Sequence, residues 1–455
     1  MNKVSEYIIN NFDKVKINSH DIIAGDIFVC LQGSKKHGNI FISKIINKGV
    51  KYIITDKHSD IKDPKEKIIF VDDIFSYLLK IAIKKRGLYG GKIIGITGSV
   101  GKTTVKENLK FFLSYYCKVS ASIKSYNNYL GVLISLLNLN LESDFAIFEI
   151  GTNNFLEIKK LTSIIMPSQV IITNIYPTHL EKLYSTRNIA IEKSDIFNKK
   201  INPNINLVIL PNSNNDEKFI VEKAKKEKIE NILTFGDNIE SDLYIIKLNK
   251  LSTNHFKILL SYQNSTFDLT LNQNYYYRIN NVLICLLIFL YNNIKLELFF
   301  SLSKDMPLIE GRGLQSVIIF DSKKINFIDE SYNASPMTMK LSIDYFSDLV
   351  CNKNQKKILI LGEMKELGEN KINFHIELLD YLMKKNLDNV IICGKLFKLA
   401  LKKTINNKIK YMVNLKSVLN NLKVIISEND ILLIKGSNSS LTNKLAKKIA
   451  QIVDK

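Results

Sequence analysis

Between Gly95 and Leu109 the chain reads GITGSVGKTTVKENL, a stretch that holds the residue types phosphate chemistry needs. Gly98 and Gly101 permit a tight turn whose backbone N–H groups point at phosphate oxygens. A helix opening behind the turn adds positive potential. Thr97, Gly98, Ser99 and Gly101 would form the cradle, Lys102 would reach the terminal phosphates, and the hydroxyl of Thr103 or Thr104 would join a Mg²⁺ shell. The pattern is T-G-x-x-G-K-T-T, a variant of the phosphate loop in which Ile96 stands where glycine is usual. Further on, Glu149 closes the apolar run FAIFE, and His179 follows the apolar run QVIITNI. At the carboxyl ends of neighbouring strands, a carboxylate and an imidazole would share the crevice of the loop and could ligate metal. Taken singly, Glu149 also reads as a solvated strand end and His179 as a helix-capping or core histidine. Lys193, fourteen residues after His179, reads by itself as a surface lysine, because an ammonium repels Mg²⁺.

These residues need strands and helices to position them. KIIGIT before the loop reads as a buried strand and GKTTVKENLKFFLSYY after it as a helix; FAIFEIG and QVIITNI add strands. Such alternation predicts a central doubly wound parallel sheet. Residues 22–90 alternate short β-rich runs with helical stretches, which predicts a small N-terminal α/β domain. KRGLYGGK, Lys85 to Lys92, reads as a glycine-rich basic hinge. Beyond Asp305 to Gly313, INFIDES, KILILGEM, NVIICG and ILLIKGS read as strands of a third, Rossmann-like α/β domain. The expected divisions are residues 1–88, 89–306 and 307–455.

A chain of 455 residues exceeds one hydrophobic core, which agrees with several domains. The longest apolar run, VLICLLIFLY, is too short at about 1.5 Å per helical residue to span a bilayer. The start lacks a signal-peptide pattern, and the five cysteines are scattered without a C-x-x-C pair. Both features predict a cytoplasmic protein without structural zinc. The net charge of +20 is spread along a chain rich in Lys, Asn and Ile. Without clustered basic residues interleaved with aromatics it predicts steering of an anionic substrate rather than nucleic-acid binding.

The loop in this setting resembles that of the Mur ligases. NNYLGV (Asn127 to Val132), FEIG with Glu149, TNIYPTHL with Asn174 and His179, and IAIEKSDIF with Lys193 resemble the family's motifs in order. In the third part, EGRGLQ resembles an arginine segment that contacts ATP, IDESYNASP resembles D-D-S-Y-N-A-N-P, and LGEMKELGENKINFH resembles L-G-D-M-x-E-L-G with its trailing histidine. IKGSNSS resembles V-K-G-S-R-S, so the ordered set covers about 340 residues, Gly98 to Ser440. The third-domain forms resemble the branch that adds a D-alanyl-D-alanine dipeptide. The D-Y-A-H-x-P and D-N-P-R of the diamino-acid-adding branch are absent.

The resemblance implies ATP-driven amide synthesis through an acyl phosphate, with UDP-N-acetylmuramoyl-tripeptide and D-Ala-D-Ala as substrates and a monomer as the working unit. It implies two Mg²⁺ ions held by Thr103, Glu149, His179 and Lys193, the last carbamylated by CO₂. Lys102 joins Glu149, His179 and Lys193 as catalytic residues. Asn281, Arg312 and Asp329 join the loop in contacting ATP; Ser19, Asn127, Asn128, Tyr332 and Asn333 contact substrate. Several positions depart from the family. Its D-S-R reads Asn18-Ser19-His20, its D-G-H reads His37-Gly38-Asn39, Tyr277 stands where histidine is usual, and Asn438 replaces an arginine. A sister ligase, a non-catalytic nucleotide-binding protein and a nucleic-acid-dependent ATPase are the competing readings. The third-domain motifs oppose the first, and Lys102, Glu149, His179 and Lys193 together oppose the second. The lack of a basic–aromatic cluster opposes the third.

Overall fold

A computed structural model describes residues 2–33, 36–57, 65–251, 255–404 and 409–451. The apolar run before the phosphate loop forms the strand Lys92–Thr97, buried from Ile93 onward, in a nine-stranded sheet. From one edge the order is Ser265–Asn272, His255–Tyr262, Leu243–Lys250, Asn231–Gly236, Leu207–Pro211, Gln169–Ile172, Lys92–Thr97, Phe145–Glu149 and Val119–Ala121. The pairings from Val119–Ala121 to Leu243–Lys250 are parallel, and the inner strands Lys92–Thr97, Phe145–Glu149, Gln169–Ile172 and Leu207–Pro211 are the near-continuous apolar runs, buried on both faces, that suit such a sheet. The last two strands add an antiparallel extension not expected from the sequence. The chain leaves Lys92–Thr97 towards one edge and later returns to its other side at Gln169–Ile172. A topological switch therefore opens a crevice at the carboxyl ends of these strands.

The apolar run VLICLLIFLY lies in the helix Ile279–Tyr291, whose residues Val282–Phe289 are all buried. It packs on the loop helix Lys102–Leu113, where Phe112 meets Phe289 edge-on with centroids 6.1 Å apart and also stacks on Phe299 of the helix Leu296–Leu302 at 4.2 Å. Among the described residues no helix is long and apolar enough to cross a membrane.

Four parallel strands, Val15–Lys16, Ile27–Val29, Tyr52–Thr55 and Ile68–Phe70, form the N-terminal sheet. Six form the C-terminal sheet, in the order Leu314–Phe320, Lys323–Glu330, Ile431–Lys435, Lys357–Gly362, Asn389–Cys393 and Ile409–Met412, with only the first pair antiparallel. One apolar cluster runs without a break from Val4, Ile8 and Leu78 into Val132, Phe148 and Val170, so the N-terminal and central parts share a core. The two clusters of the C-terminal part contain none of those residues.

The expected hinge is mostly helix. Ile74–Leu88 is helical, and Lys85 within it is fully buried. Its Nζ donates to the carbonyls of Ile8 (2.7 Å), Asn11 (2.6 Å) and Leu137 (2.8 Å). Ile8 and Leu137 lie in the last turns of two helices, Lys3–Asn10 and Tyr129–Leu137, whose orphan carbonyls and negative dipole ends suit a cation. Arg86 donates to the carbonyls of Ile165 (2.5 Å) and Met166 (2.8 Å). Only Tyr89–Gly91 remains outside regular structure before the next strand.

Candidate active site

The phosphate loop is fixed by its own glycines and by the strand beside it. Gly98 has φ +145°, and a Cβ there would stand 1.9 Å from Thr173 Oγ1. Gly101 has φ +86°, and a Cβ there would meet Asn281 Oδ1 at 2.7 Å. Both positions exclude larger side chains. Thr173 Oγ1 donates to Val100 O (2.5 Å), while Asn174 accepts from Val100 N through Oδ1 (3.0 Å) and donates back through Nδ2 (3.1 Å). Ser99 Oγ donates to Tyr176 O and accepts from Tyr176 N, both at 2.9 Å. Gly101 is the N-cap of the loop helix and no side chain caps it, which leaves a helix N-terminus suited to an anion. Thr97 is buried at the base of the loop.

Lys102 Nζ donates to Gly98 O (2.7 Å) and Ser99 O (3.3 Å), so its charge lies across the loop. Burial pushes this amine down; Glu149 opposes the shift and Arg312 adds to it. Glu149 is buried, and both its oxygens are engaged. Oε2 accepts from Thr103 Oγ1 and Oε1 from Asn127 Nδ2, each at 2.7 Å. The loop hydroxyl and the strand-end carboxylate are thus in direct contact, an oxygen pair of the kind Mg²⁺ prefers. Thr104, the alternative hydroxyl, faces the other side of the loop. Asn128 caps the helix Tyr129–Leu137 by accepting from Gly131 N (2.8 Å).

His179 is not at a strand end. The strand stops at Ile172, and His179 lies seven residues on, at the N-cap of the short helix Leu180–Leu183 with φ +53° and without a side-chain cap bond. Its Nδ1 stands 2.5 Å from Glu366 Oε2, a residue of the C-terminal part, and the contact holds the Glu366 carboxyl below its usual range. Lys193 is fully buried in the helix Thr186–Ser194, and its side chain makes no hydrogen bond or ion pair among the described residues. Its neighbour Glu192 accepts from Leu156 N (2.7 Å) and Ile158 N (2.9 Å), pinning this helix to the one beginning at Glu157. Burial, reinforced by the charge of Lys102, holds the Lys193 amine well below the ordinary lysine range. Among the described residues no group of three or more His, Cys, Asp or Glu is arranged around a metal position. The donors here are mixed, which suits an ion that keeps part of its water shell.

The loop divides two cavities. The first, of about 420 Å³, is lined by Lys102, Thr103, Asn127, Asn128, Glu149 and His179, and on the C-terminal side by Arg312, Tyr332, Asn333 and Glu366. The second, of about 480 Å³, holds Thr104, Asn281, Tyr277, Tyr345, Glu330 and Lys435; Gly101, Arg312 and Asn333 border both. Arg312 lies 4.5 Å over the Tyr332 ring, and the Tyr332 hydroxyl is in close contact with Ser125 Oγ across the crevice. Asp329 lines neither cavity; its carboxylate accepts from Ser331 N (2.9 Å). Strand alternation gives the second cavity to the next residue, Glu330, which pairs with Arg278 and with Lys435 (3.1 Å). Those two cations outweigh the upward push of burial and hold the Glu330 carboxyl below its usual range.

The remaining positions lie elsewhere. Ser19, in the N-terminal part, is buried with its carbonyl on Lys48 Nζ (3.0 Å) and lines neither cavity. Asn18 accepts from His20 N, and His20 is exposed. His37 is buried, with Nε2 3.0 Å from Asp56 Oδ1 and Nδ1 accepting from Asn39 N. Tyr277 Oη donates to Asp348 (2.6 Å), and Asn438 is exposed. Sequence reasoning did not assign roles to Thr173, Asn174, Glu330, Glu366 or Lys435; their signal is spatial.

Fold and site define a phosphate-loop α/β protein whose nucleotide crevice is walled by a second α/β unit. Residues 96–289 match the Mur ligase middle domain, and residues 317–438 match the Mur ligase glutamate ligase domain. The UDP-N-acetylmuramoyl-tripeptide--D-alanyl-D-alanine ligase of Rickettsia prowazekii is 34% identical over 438 residues, 96% of this chain and 94% of that protein. The Bacillus subtilis protein of the same name is 25% identical over 443 residues, covering 96% and 92%. The fold is that of MurF from Acinetobacter baumannii (TM-score 0.78, 24% identity, 97% of this chain and 93% of that one). It is also that of the Thermotoga maritima MurF ligase solved with ADP (TM-score 0.77, 22% identity, 100% and 99%). The chain belongs to the Mur ligase family.

Proposed function

We propose that this chain is an ATP-dependent ligase that joins D-alanyl-D-alanine to UDP-N-acetylmuramoyl-tripeptide in peptidoglycan precursor synthesis. The observation that carries this reading is the first cavity. It is built jointly by the phosphate loop and by the Tyr332–Asn333 and Lys365–Glu366 segments, the two third-domain motifs that resemble the dipeptide-adding branch. End-to-end similarity to a relative bearing that name supports it.

The tripeptide's terminal carboxylate attacks the γ-phosphorus of ATP and ADP leaves. The dipeptide amine then attacks the acyl carbon, loses a proton and expels phosphate. Lys102, Arg312 and the uncapped N–H groups of the loop helix stabilise charge spread over the transferring phosphoryl group. Asn281 and Arg312 border the second cavity, which takes the nucleoside, so the loop separates nucleoside from acceptor. Tyr332 and Asn333 present the acceptor, while Asn127 positions Glu149. Ser19 belongs to the uridine end, on the N-terminal unit.

Thr103, Glu149 and His179 line the first cavity and would hold a Mg²⁺ pair, which supplies charge neutralisation between triphosphate and carboxylate when bound; Lys193 lines neither cavity and lies behind them, near enough to feel the charge of Lys102. Lys193 fits only as a carbamate, and its surroundings favour that. Addition to CO₂ requires a neutral amine, and this amine is buried, unpartnered and held low beside Lys102. The nitrogen bonds to the CO₂ carbon and releases a proton, which leaves an anion where an ammonium would repel metal. The five cysteines are all free, in keeping with work in the cytoplasm, and the first cavity is lined by both α/β units of one chain, in keeping with a monomer as the working unit.

ADP release from UDP-linked tripeptide, with and without D-Ala-D-Ala, tests the reading. Release that depends on the dipeptide supports it. Release with free diaminopimelate, lysine or glutamate, and none with the dipeptide, places the chain in a sister branch.

A further inference from the structure

The turn after the strand Lys357–Gly362 reaches across the crevice and meets the His179 helix at three points. Glu366 Oε2 stands 2.5 Å from His179 Nδ1. Glu181 N donates to Glu366 O at 3.3 Å. Gly368, at φ +64°, packs so closely that a Cβ there would stand 3.3 Å from the Leu180 carbonyl oxygen. Both facing residues hold left-handed backbone, His179 at φ +53° and Glu366 at φ +61°. Such conformations cost energy in non-glycine residues and persist where their surroundings impose them. The Glu366 side chain is 54% exposed, and a polar contact so placed adds little stability. Its value must therefore lie in orientation. Neither ring nitrogen of His179 makes a hydrogen bond among the described residues, although buried Nδ1 has the Glu366 carboxylate at 2.5 Å, and the residue lines the first cavity.

We infer that Glu366 is a positioning residue for His179. It accepts the Nδ1 proton, fixes the tautomer that leaves the Nε2 lone pair free, and does so only when the C-terminal sheet is docked on the central one. A carboxylate behind a ligating imidazole commonly plays this part. The inference rests on the reading above in taking His179 as a ligand. It makes the crevice self-checking, because the unit that brings the acceptor also completes the histidine.

The test uses full-length protein labelled with ¹⁵N-histidine, the His179 signals being identified with H179A. Wild type should show one tautomer, protonated at Nδ1. E366A should show the averaged signals of a ring exchanging both tautomers. E366Q, whose amide oxygen accepts the same proton, should keep the wild-type pattern. In the ADP-release assay E366A should lose about 10- to 100-fold in kcat at unchanged KM for both substrates, and E366Q should restore most of it. The melting midpoint should stay at the wild-type value. An E366A spectrum identical to wild type, or a changed tautomer with wild-type kcat, overturns the inference. Were wild type to release no ADP with the dipeptide, the proposed function would fail while the spectra still decided whether Glu366 sets the ring.

Discussion

Replacing Gly98 by alanine tests the loop geometry most directly, because the cost can be counted atom by atom. The new Cβ would fall 1.9 Å from Thr173 Oγ1 and 2.9 Å from Thr173 N. Rotating the threonine removes the first clash and breaks its bond to Val100 O, a net loss of about 1 kcal/mol. The second clash involves backbone, so the loop itself must retreat. A non-glycine residue at φ +145° adds roughly 2 kcal/mol of strain. Together G98A should cost about 3 kcal/mol. If this falls on the phosphate-binding conformation, kcat/KM for ATP drops about 100-fold. Thermal unfolding and ADP release measure the two consequences. T173A alone should cost about 1 kcal/mol, and G98A/T173A should cost about as much as G98A, since the bond to Val100 is lost in both and the backbone clash and strain remain. Wild-type kcat/KM and midpoint in G98A would refute the reasoning, and full recovery in the double variant would refute the strain component.

K102A should abolish turnover with little change in melting, since its amine bonds only loop carbonyls; normal kcat would remove it from the phosphate site. E149Q should raise the Mg²⁺ concentration needed for half-maximal rate steeply while keeping contacts to Thr103 and Asn127 through amide flips, and a Mg²⁺ titration overlaying wild type would exclude it as a ligand. K193A should be nearly inactive and partly restored by acetate, and CO₂-depleted buffer should slow wild type; a fully active K193A would end the carbamate proposal. K85M should lower the unfolding midpoint by stranding three carbonyls at a cost of about 1–3 kcal/mol each, and an unchanged midpoint would show that those carbonyls find other partners.

The phosphate loop was legible because each residue type in it has one local task, and glycine, lysine and threonine announce those tasks in order. The three α/β units were legible for the same reason, since buried parallel strands read as unbroken apolar runs. Lys85 was not. A lysine beside glycines reads as a solvated hinge, yet its partners lie 77, 74 and 52 residues away, beyond any local pattern. His179 was misplaced because nothing in TNIYPTHL marks the end of the strand at Ile172. The difference between Asp329 and Glu330 is one step of pleat, which only strand register decides. Glu366 stands inside the stretch LGEMKELGENKINFH, but its task appears only once two distant left-handed residues face each other.

The apolar cluster that runs from Val4 to Val170 has a mechanical meaning. With Lys85 and Arg86 riveting the joint, the N-terminal sheet cannot swing independently of the phosphate loop, whereas the C-terminal unit meets them mainly through polar contacts. The molecule is a caliper with one jaw locked to the frame. On the proposed function, a substrate held at its nucleotide end by that jaw would be measured against a constant span, and only a stem of the right length would bring its carboxylate to the loop. The other jaw would then gauge the acceptor alone.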